Sequence, residues 1–542
     1  MLGVIATEAE HNVVREFFEL FKIPWELYEH GRHYDVILCS GTHSTLPGGA
    51  TANLVIVYAG AETASGADLS YRGSRLPIYG NAVTFQQAPT FLTEISTGKA
   101  AAYLTRSGDT VFARVGYDLF QEVETLLRSG QPFDNAAVPA LDLHISLLRD
   151  LIVSTGIPLL EIPPVPGGHS FIACLTHDLD HASIRRHFFD STIFGFFYRA
   201  TLGTALNAAR GRMTAGDLFK NWAAAAKLPF MYLGVARDIW SDFDRYVQLE
   251  QGRPSTFFVV PFQNRPGRSA TGQAPGYRAT KYDVSHIAGK VSRLAAEGSE
   301  IGLHGIDAWA DSVKGYEEKC RIQDFTAKET LGVRMHWLYS DEQSAGVLEQ
   351  AGFIYDSSAG YNNTVGYRSG TAQVFKPLSA KGLLELPMHI MDTALFYPDY
   401  LDLSPEEAWE RIAPMLDHAA AGGGVTTVNW HDRSIAPERL WGKFYIRLLD
   451  ELTRRGAWFA TASQAVAWFR KRRSATFREV DRGSGAMRII VSDETGGNLP
   501  ALRARLHRSQ PDGYIDTAFD HKTDCAVGAV YDRAGTPLRA RS

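Results

Sequence analysis

Apolar and polar positions follow two periods along most of the chain. Residues 8–20, 119–127 and 140–153 space their apolar side chains three and four apart, as half-buried helices do. Val36-Ile37-Leu38 and Leu54-Val55-Ile56-Val57 are short continuous apolar runs suited to buried strands. Together they predict a small α/β domain over residues 1–160, for which no motif indicates a role. It runs out in Gly156-Ile157-Pro158 and Pro163-Pro164-Val165-Pro166-Gly167-Gly168, a cluster that cannot continue a helix or a central strand and so reads as a linker.

From residue 171 to 474 buried-strand signals recur between helical stretches, at residues 171–175, 256–260, 300–303, 383–386, 425–428 and 458–460. Strand alternating with helix predicts a mostly parallel sheet or barrel with helices outside. Ser404-Pro405-Glu406-Glu407 is a helix-start signature with Pro at the first helical position, and the helix it opens must end before Gly422-Gly423-Gly424. Over 475–542 short segments at 487–491, 501–506 and 526–531 are separated by turn residues, which predicts a small all-β domain.

Composition narrows the function classes. In 542 residues, 55 Lys plus Arg face 60 Asp plus Glu, a net charge of -5. The longest basic block is Arg470-Lys471-Arg472-Arg473, expected to be a solvated helix end, so a nucleic-acid partner is not expected. Cys39, Cys174, Cys320 and Cys525 are too dispersed for a zinc ribbon or a disulfide framework and fit a reducing compartment. Residues 1–17 reach Glu8 and Glu10 before any sustained apolar run and do not read as a signal peptide, so a cytoplasmic location is expected. Residues 193–206 come nearest to a membrane-length apolar run and are broken by Arg199, so no transmembrane span is expected.

The ionisable residues gather where strands end. Residues 171–175 run into Thr176-His177-Asp178-Leu179-Asp180-His181, and three further strands lead to His304 with Asp307, to Arg334-Met335-His336-Trp337 and to Trp430-His431-Asp432. In parallel α/β barrels active sites form at those ends. Asp, His and a third ligand can hold a divalent cation with one position open for water, and a free carboxylate nearby can take that water's proton. Asp178 and Asp180 point the same way from one strand, and two such charges are costly together unless one binds a cation.

These motifs, in this order, resemble the polysaccharide deacetylase family (carbohydrate esterase family 4, NodB-homology domain). Thr176 to Asp180 resembles its opening Thr-Phe-Asp-Asp motif in an Asp-x-Asp form, and Ser255-Thr256-Phe257-Phe258-Val259 its Ala-Thr-Phe-Phe-Val strand. Glu300 to His304 resembles the strand leading to its metal-binding His, Arg334 to Trp337 its Arg-x-Pro-aromatic motif, and Val428-Asn429-Trp430-His431 its last motif. Residues 355–368 and 386–392 are similar to a bacterial subgroup with an extra N-terminal domain.

The resemblance implies a distorted (β/α) barrel over 171–474. It also implies a divalent metal, with zinc the expected ion, and an N-acetylated glycan or lipid-linked glycan as substrate. By the same analogy Asp178 is the catalytic base, Asp180 a metal ligand, Arg334 the group that orients Asp178, and His431 the general acid, oriented by Asp356 or Asp392. Trp337 and Trp430 flank this site and could stack on sugar faces.

Two positions depart from the family. Ala308 stands where a second metal-binding His is usual, and His336 stands where the Arg-x-Pro-aromatic motif has its Pro. His336 is therefore expected to complete a ligand set of Asp180, His304 and His336, with Asp307 the second choice. Two other functions stay open: a hydrolase of non-sugar linear amides, and a catalytically inactive glycan-binding module.

Beside the site, His177, His181, Arg185, Arg186 and His187 form a basic edge, followed by Phe188-Phe189 and the apolar residues 193–198. This reads either as an interfacial segment that meets a lipid-linked or anionic glycan or as a helix packed within the protein. The packed helix is the expectation.

Overall fold

The computed structural model describes residues 1–40, 51–59, 66–87, 91–211, 213–326, 328–479, 487–492, 498–509, 513–519 and 525–527. Strands β1 (Leu2–Ile5), β2 (Trp25–Leu27), β3 (Tyr34–Cys39), β4 (Ala52–Tyr58), β5 (Ala102–Ser107) and β6 (Thr110–Val115) form a sheet of order β2-β1-β3-β4-β6-β5. All its pairings are parallel except the β5–β6 hairpin. Helices α1 (His11–Leu20), α2 (Leu119–Arg128) and α3 (Ala140–Ser154) bury Phe17, Val123 and Leu148 in the same core as these strands. Asp118 starts α2 by accepting from the amides of Phe120 and Gln121. The first three residues expected in α1 form a separate 3₁₀ turn, Glu8–Glu10.

The larger sheet contains β7 (Phe171–Leu179), β8 (Ser255–Val259), β9 (Glu300–Gly305), β10 (Val333–Met335), β11 (Tyr355–Asp356), β12 (Leu384–Glu385), β13 (Ile390–Met391), β14 (Val425–Asn429) and β15 (Ala457–Phe459). Their order is β12-β11-β10-β9-β8-β7-β14-β13, with β15 also on β7. Every pairing is parallel, which makes a curled, open half-barrel. All nine residues of β7 are buried, as helices on both faces of a parallel sheet require. Because the strands run the same way, β7, β9, β10 and β14 deliver Asp178, His304, Arg334 and Asn429 to one edge.

Three expectations change. Within the presumed linker, Leu159–Glu161 is a strand paired antiparallel with Leu502–His507, which pairs in turn with Tyr514–Phe519. The prolines that follow lack N–H groups but still accept and pack. Pro164 O accepts from Gly424 N at 2.7 Å, and Gly423, at φ +84°, approaches so closely that a Cβ there would lie 2.4 Å from that same carbonyl oxygen. The basic run is not a solvated helix end. Lys471 and Arg472 are buried, Arg472 donates to the carbonyls of Ile162, Glu19 and Leu20, and Arg473 pairs through both nitrogens with Glu16. These carbonyls and this carboxylate come from α1 and from residue 162, so two of the four like charges bolt distant segments together. Of the expected segment 526–531, residues 528–531 lie outside the described residues, and Cys525–Val527 pairs with Met487–Ile489.

The third change concerns the insertion between β7 and β8, which contains α4 (Ser191–Tyr198), a π-helical turn (Arg199–Gly203), α5 (Thr204–Ala209) and α6 (Ala215–Tyr232). Only one face of it packs. Ile193, Phe196 and Ala200 meet Leu228, Met231 and Trp240, while a comparable number of apolar side chains face outward. There are more apolar residues here than one helical stripe can bury. The expected helix downstream is Pro405–Gly422, with the reciprocal Ser404–Glu407 cap in place.

Candidate metal centre and catalytic site

Alternation along β7 sets the site. Asp178 and Asp180 share one face, and His177 points to the other, where its ring lies 2.8 Å from both Glu250 Oε1 and Trp430 O and stacks on Tyr246. His177 is therefore a satisfied core residue.

Asp180 Oδ1 is buried and has no hydrogen-bond partner. His304 Nε2 lies 3.3 Å from it and His336 Nε2 3.5 Å. One ligand atom from each of these three residues falls within 4.8 Å of the others, the one group of this kind among the described residues. His304 Nδ1 sits 3.0 Å from Arg334 O, a carbonyl that fixes the ring and turns Nε2 toward Asp180. Burial, aided by His304 and Arg278 and only partly opposed by Asp180, holds His336 down at about 3, so its ring is neutral. Two imidazoles and an orphaned carboxylate oxygen are the donor set of a zinc-type site with an open position, so the residues present fit a divalent metal.

Asp307 does not compete for that place. Its oxygens accept from Arg268 N at 2.7 Å and pair with Lys314 Nζ at 2.8 Å. Position 308 has no room for an imidazole, because helix Ser312–Thr326 closes over it: a Cβ on Gly315 would lie 3.2 Å from Ala308 Cβ.

Asp178 is held from two strands. Arg334 Nη1 donates to Oδ1 at 3.0 Å and Asn429 Nδ2 to Oδ2 at 2.7 Å. Arg334 is itself fixed by Thr176 Oγ1, Ser357 O and Ser357 Oγ and lies over the Phe258 ring. Burial disfavours the Asp178 charge, but Arg334, His304 and His431 outweigh it and hold the carboxyl below its ordinary value. Asp180 is held well below, with His336 the strongest of the groups that overcome burial.

On the far side of Asp180, His431 Nε2 stands 3.8 Å from Oδ2. Its Nδ1 donates to Asp392 Oδ1 at 2.6 Å, and its backbone amide donates to Asp392 Oδ2 at 2.7 Å. Burial works against a charged ring, yet Asp392, then Asp180 and Asp178, raise His431 to about 10. The choice between two orienting carboxylates thus falls on Asp392. Asp356 accepts from Ser358 Oγ instead and is raised by burial to about 6 beside Glu385.

Asp178, Asp180, His304, His336 and His431 line a cavity of about 610 Å³ together with Trp337, Tyr277, Tyr397, Arg433 and Arg439. Trp337 and Leu338 both adopt left-handed backbone, at φ +63° and +55°, a strain of the kind that collects at functional sites. Trp430 is fully buried and stacks on Phe444, which removes it as a sugar platform. The strand-end reading missed Asn429 as a partner of Asp178, although it closes β14 two residues before His431. It also missed Tyr397, whose hydroxyl receives Arg439 at 2.8 Å and Arg433 at 3.3 Å. Burial pushes that phenol up, and Arg439, Arg433 and Arg199 more than reverse it, to about 7.

No protein-family model matches the chain, and no curated protein matches it in sequence. Among solved structures, a Mycobacterium smegmatis protein assigned as a polysaccharide deacetylase overlays 57% of this chain and 94% of its own, at 19% identity and a TM-score of 0.34. Agd3, described as a novel carbohydrate deacetylase, overlays 94% of this chain and 91% of its own at 8% identity and 0.34. A Parabacteroides distasonis protein assigned as a glycoside hydrolase/deacetylase overlays 67% of this chain and 87% of its own at 10% identity and 0.33. These overlays are loose, and the chemistry rests on the geometry of the chain itself.

Proposed function

We propose that the chain is a metal-dependent hydrolase that removes N-acetyl groups from an amino sugar in a polysaccharide or glycolipid precursor. The observation that carries the reading is the buried, unpartnered Asp180 Oδ1 facing His304 and His336, with a separately anchored carboxylate on one side and a carboxylate-backed imidazole on the other.

Asp180, His304 and His336 would hold the ion, and zinc fits the donor set. When bound, it polarises an amide carbonyl and acidifies water. Asp178, kept ionised and aimed by Arg334 and Asn429, takes the proton from the attacking water. His431, charged through Asp392, returns a proton to the departing amine nitrogen. Trp337 offers an aromatic wall to a sugar ring.

In this reading the fold is of the NodB-homology type, with the chemistry in residues 171–474, a small α/β domain at 1–160 and a small β domain at 475–542. We read the dispersed cysteines as those of a cytoplasmic protein. Among the described residues no helix is long and apolar enough to cross a membrane.

The test is elemental analysis of the purified protein followed by acetate release from N-acetylated oligosaccharides. Near-stoichiometric metal with acetate release supports the proposal. Metal with turnover of linear amides alone would move the assignment to the non-sugar hydrolase, and absence of metal after reconstitution would move it to the glycan-binding module.

A further inference from the structure

The insertion between β7 and β8 carries a surface that the catalytic reading does not use. Along α4, the π-helical turn and α5, Phe194, Tyr198, Leu202 and Leu206 recur every four residues and stand 58%, 56%, 64% and 48% exposed. The opposite face, Ile193, Phe196 and Ala200, is buried. On α6 and just beyond it, Phe219, Trp222, Phe230 and Leu233 repeat at helical spacing and are again exposed. Twelve of the 22 exposed large apolar side chains among the described residues fall within residues 188–235, so the exposure is a local feature and not a general one.

Charge points to what covers this surface. By sequence, residues 184–235 contain seven Lys or Arg and two Asp, in a chain whose overall balance is 55 to 60. Both aspartates are engaged, Asp190 with His187 and Asp217 with Lys220 and Lys443. Lys220 and Lys227 stand beside the aromatic stripe of α6, and Arg185 and Arg186 precede the exposed pair Phe188-Phe189, of which Phe189 holds left-handed backbone at φ +52°. Outward aromatic and leucine side chains fringed by cations, on helices that do not span, are the chemistry of a segment lying in the plane of an anionic bilayer. A self-associating copy would bring the excess positive charge against itself.

We propose that residues 184–235 dock this protein on an anionic lipid surface with α4 and α6 parallel to the membrane. The surface is continuous with the cavity, because Asp190, Ser191 and Thr192 at the start of α4 line it. Docking therefore brings the cavity mouth to the lipid headgroups, whatever reaction takes place inside.

The experiment is sedimentation of the full-length protein with vesicles of phosphatidylcholine containing phosphatidylglycerol, and with phosphatidylcholine alone. Wild type is expected in the pellet with the mixed vesicles, less so as salt rises, and largely in the supernatant with neutral ones. Replacing the apolar stripe (Leu202→Ser, Leu206→Ser, Phe219→Ser, Trp222→Ser) should lower the bound fraction by about tenfold with metal content unchanged. Lys220→Glu with Lys227→Glu should remove the preference for anionic lipid. If the stripe variant misfolds, the fluorescence difference between wild type and Trp222→Phe provides a second measurement: it must shift to the blue on adding mixed vesicles. Failure to bind either vesicle would overturn the proposal. So would a dimer seen by light scattering that the stripe variant dissolves while vesicle binding is absent.

Discussion

At the carboxyl edge of the N-terminal sheet, β1 leads into Thr7, β3 into Ser40 and β6 into Asp118. At the same edge of the half-barrel the strands deliver Asp178, His304, Arg334 and Asn429. Both sheets are largely parallel, and both place an aspartate at a strand end, half-buried Asp118 in one and buried Asp178 in the other. One oxygen of Asp118, Oδ1, accepts from Ser40 Oγ and from amides two and three residues ahead, the latter being the work of a helix cap, and burial raises its pKa. Asp178 accepts from side chains 156 and 251 residues away and sits below its ordinary value. A carboxylate that caps the amides of the following turn starts a helix, whereas one held by a buried guanidinium and a buried side-chain amide is left charged and aimed at a cavity.

The largest effect should come from exchanging that aspartate. Asp178→Asn is expected to cut acetate release by roughly a thousandfold or more, whereas Asp118→Asn leaves turnover unchanged. A comparable loss in both would end the distinction between the sheets. Next comes His336→Ala, expected to raise the metal dissociation constant at least about a hundredfold, since it removes a ligand outright. Asp307→Ala should keep full metal content by elemental analysis.

Asp392 acts through His431, so Asp392→Asn should lower kcat by about 10- to 100-fold with little change in KM. Without that carboxylate the His431 pKa falls from about 10, and the alkaline limb of the kcat profile moves to lower pH. A merely structural role would lower activity without moving that limb.

A helix beside each sheet also carries a buried glutamate that clamps two backbone amides. Glu122 holds Tyr79 N and Gly80 N, and Glu318 holds Ile306 N and Asp307 N. Burial raises both from 4.5 to about 7. Their stabilising contribution is full below about pH 4.5 and is lost as pH rises through 7, on the order of 3 kcal/mol each at most. Relative to wild type, Glu122→Gln or Glu318→Gln should each remove one such loss between pH 4.5 and 7, read as a change in how far the urea midpoint moves across that window. Asp178 and Asp180 act in the opposite sense, and their contribution is lost only as pH falls below about 3.8. The smallest effect is Asp118→Ala, a lost cap worth about 1 kcal/mol in the same titration.

The half-barrel was legible because parallel strands buried on both faces read as apolar runs, and the site because ionisable residues stood at the ends of those runs. His336 was found by counting ligands against Ala308. What stayed hidden depends on distance in sequence. Whether Asp356 or Asp392 backs His431, whether Trp430 faces sugar or Phe444, and whether Arg472 meets water or three carbonyls are settled by partners that no local pattern marks. For residues 188–198 the sequence left an interfacial segment and a packed helix both open and favoured the helix, since an apolar residue does not announce which face of a helix will find a neighbour.

Arg472 has a consequence for any attempt to divide this chain. Its guanidinium reaches back to the carbonyls of Glu19, Leu20 and Ile162 from the last turn of a helix that closes the half-barrel. A truncation that removed residues 1–160 would delete two of those three acceptors and the Glu16 partner of Arg473, stranding buried donors at about 1–3 kcal/mol apiece. The N-terminal unit is thus no detachable accessory: gene fragments begun near residue 170 should yield insoluble protein, and insertions or deletions that survive selection should avoid the seam between residues 16–22 and 471–473.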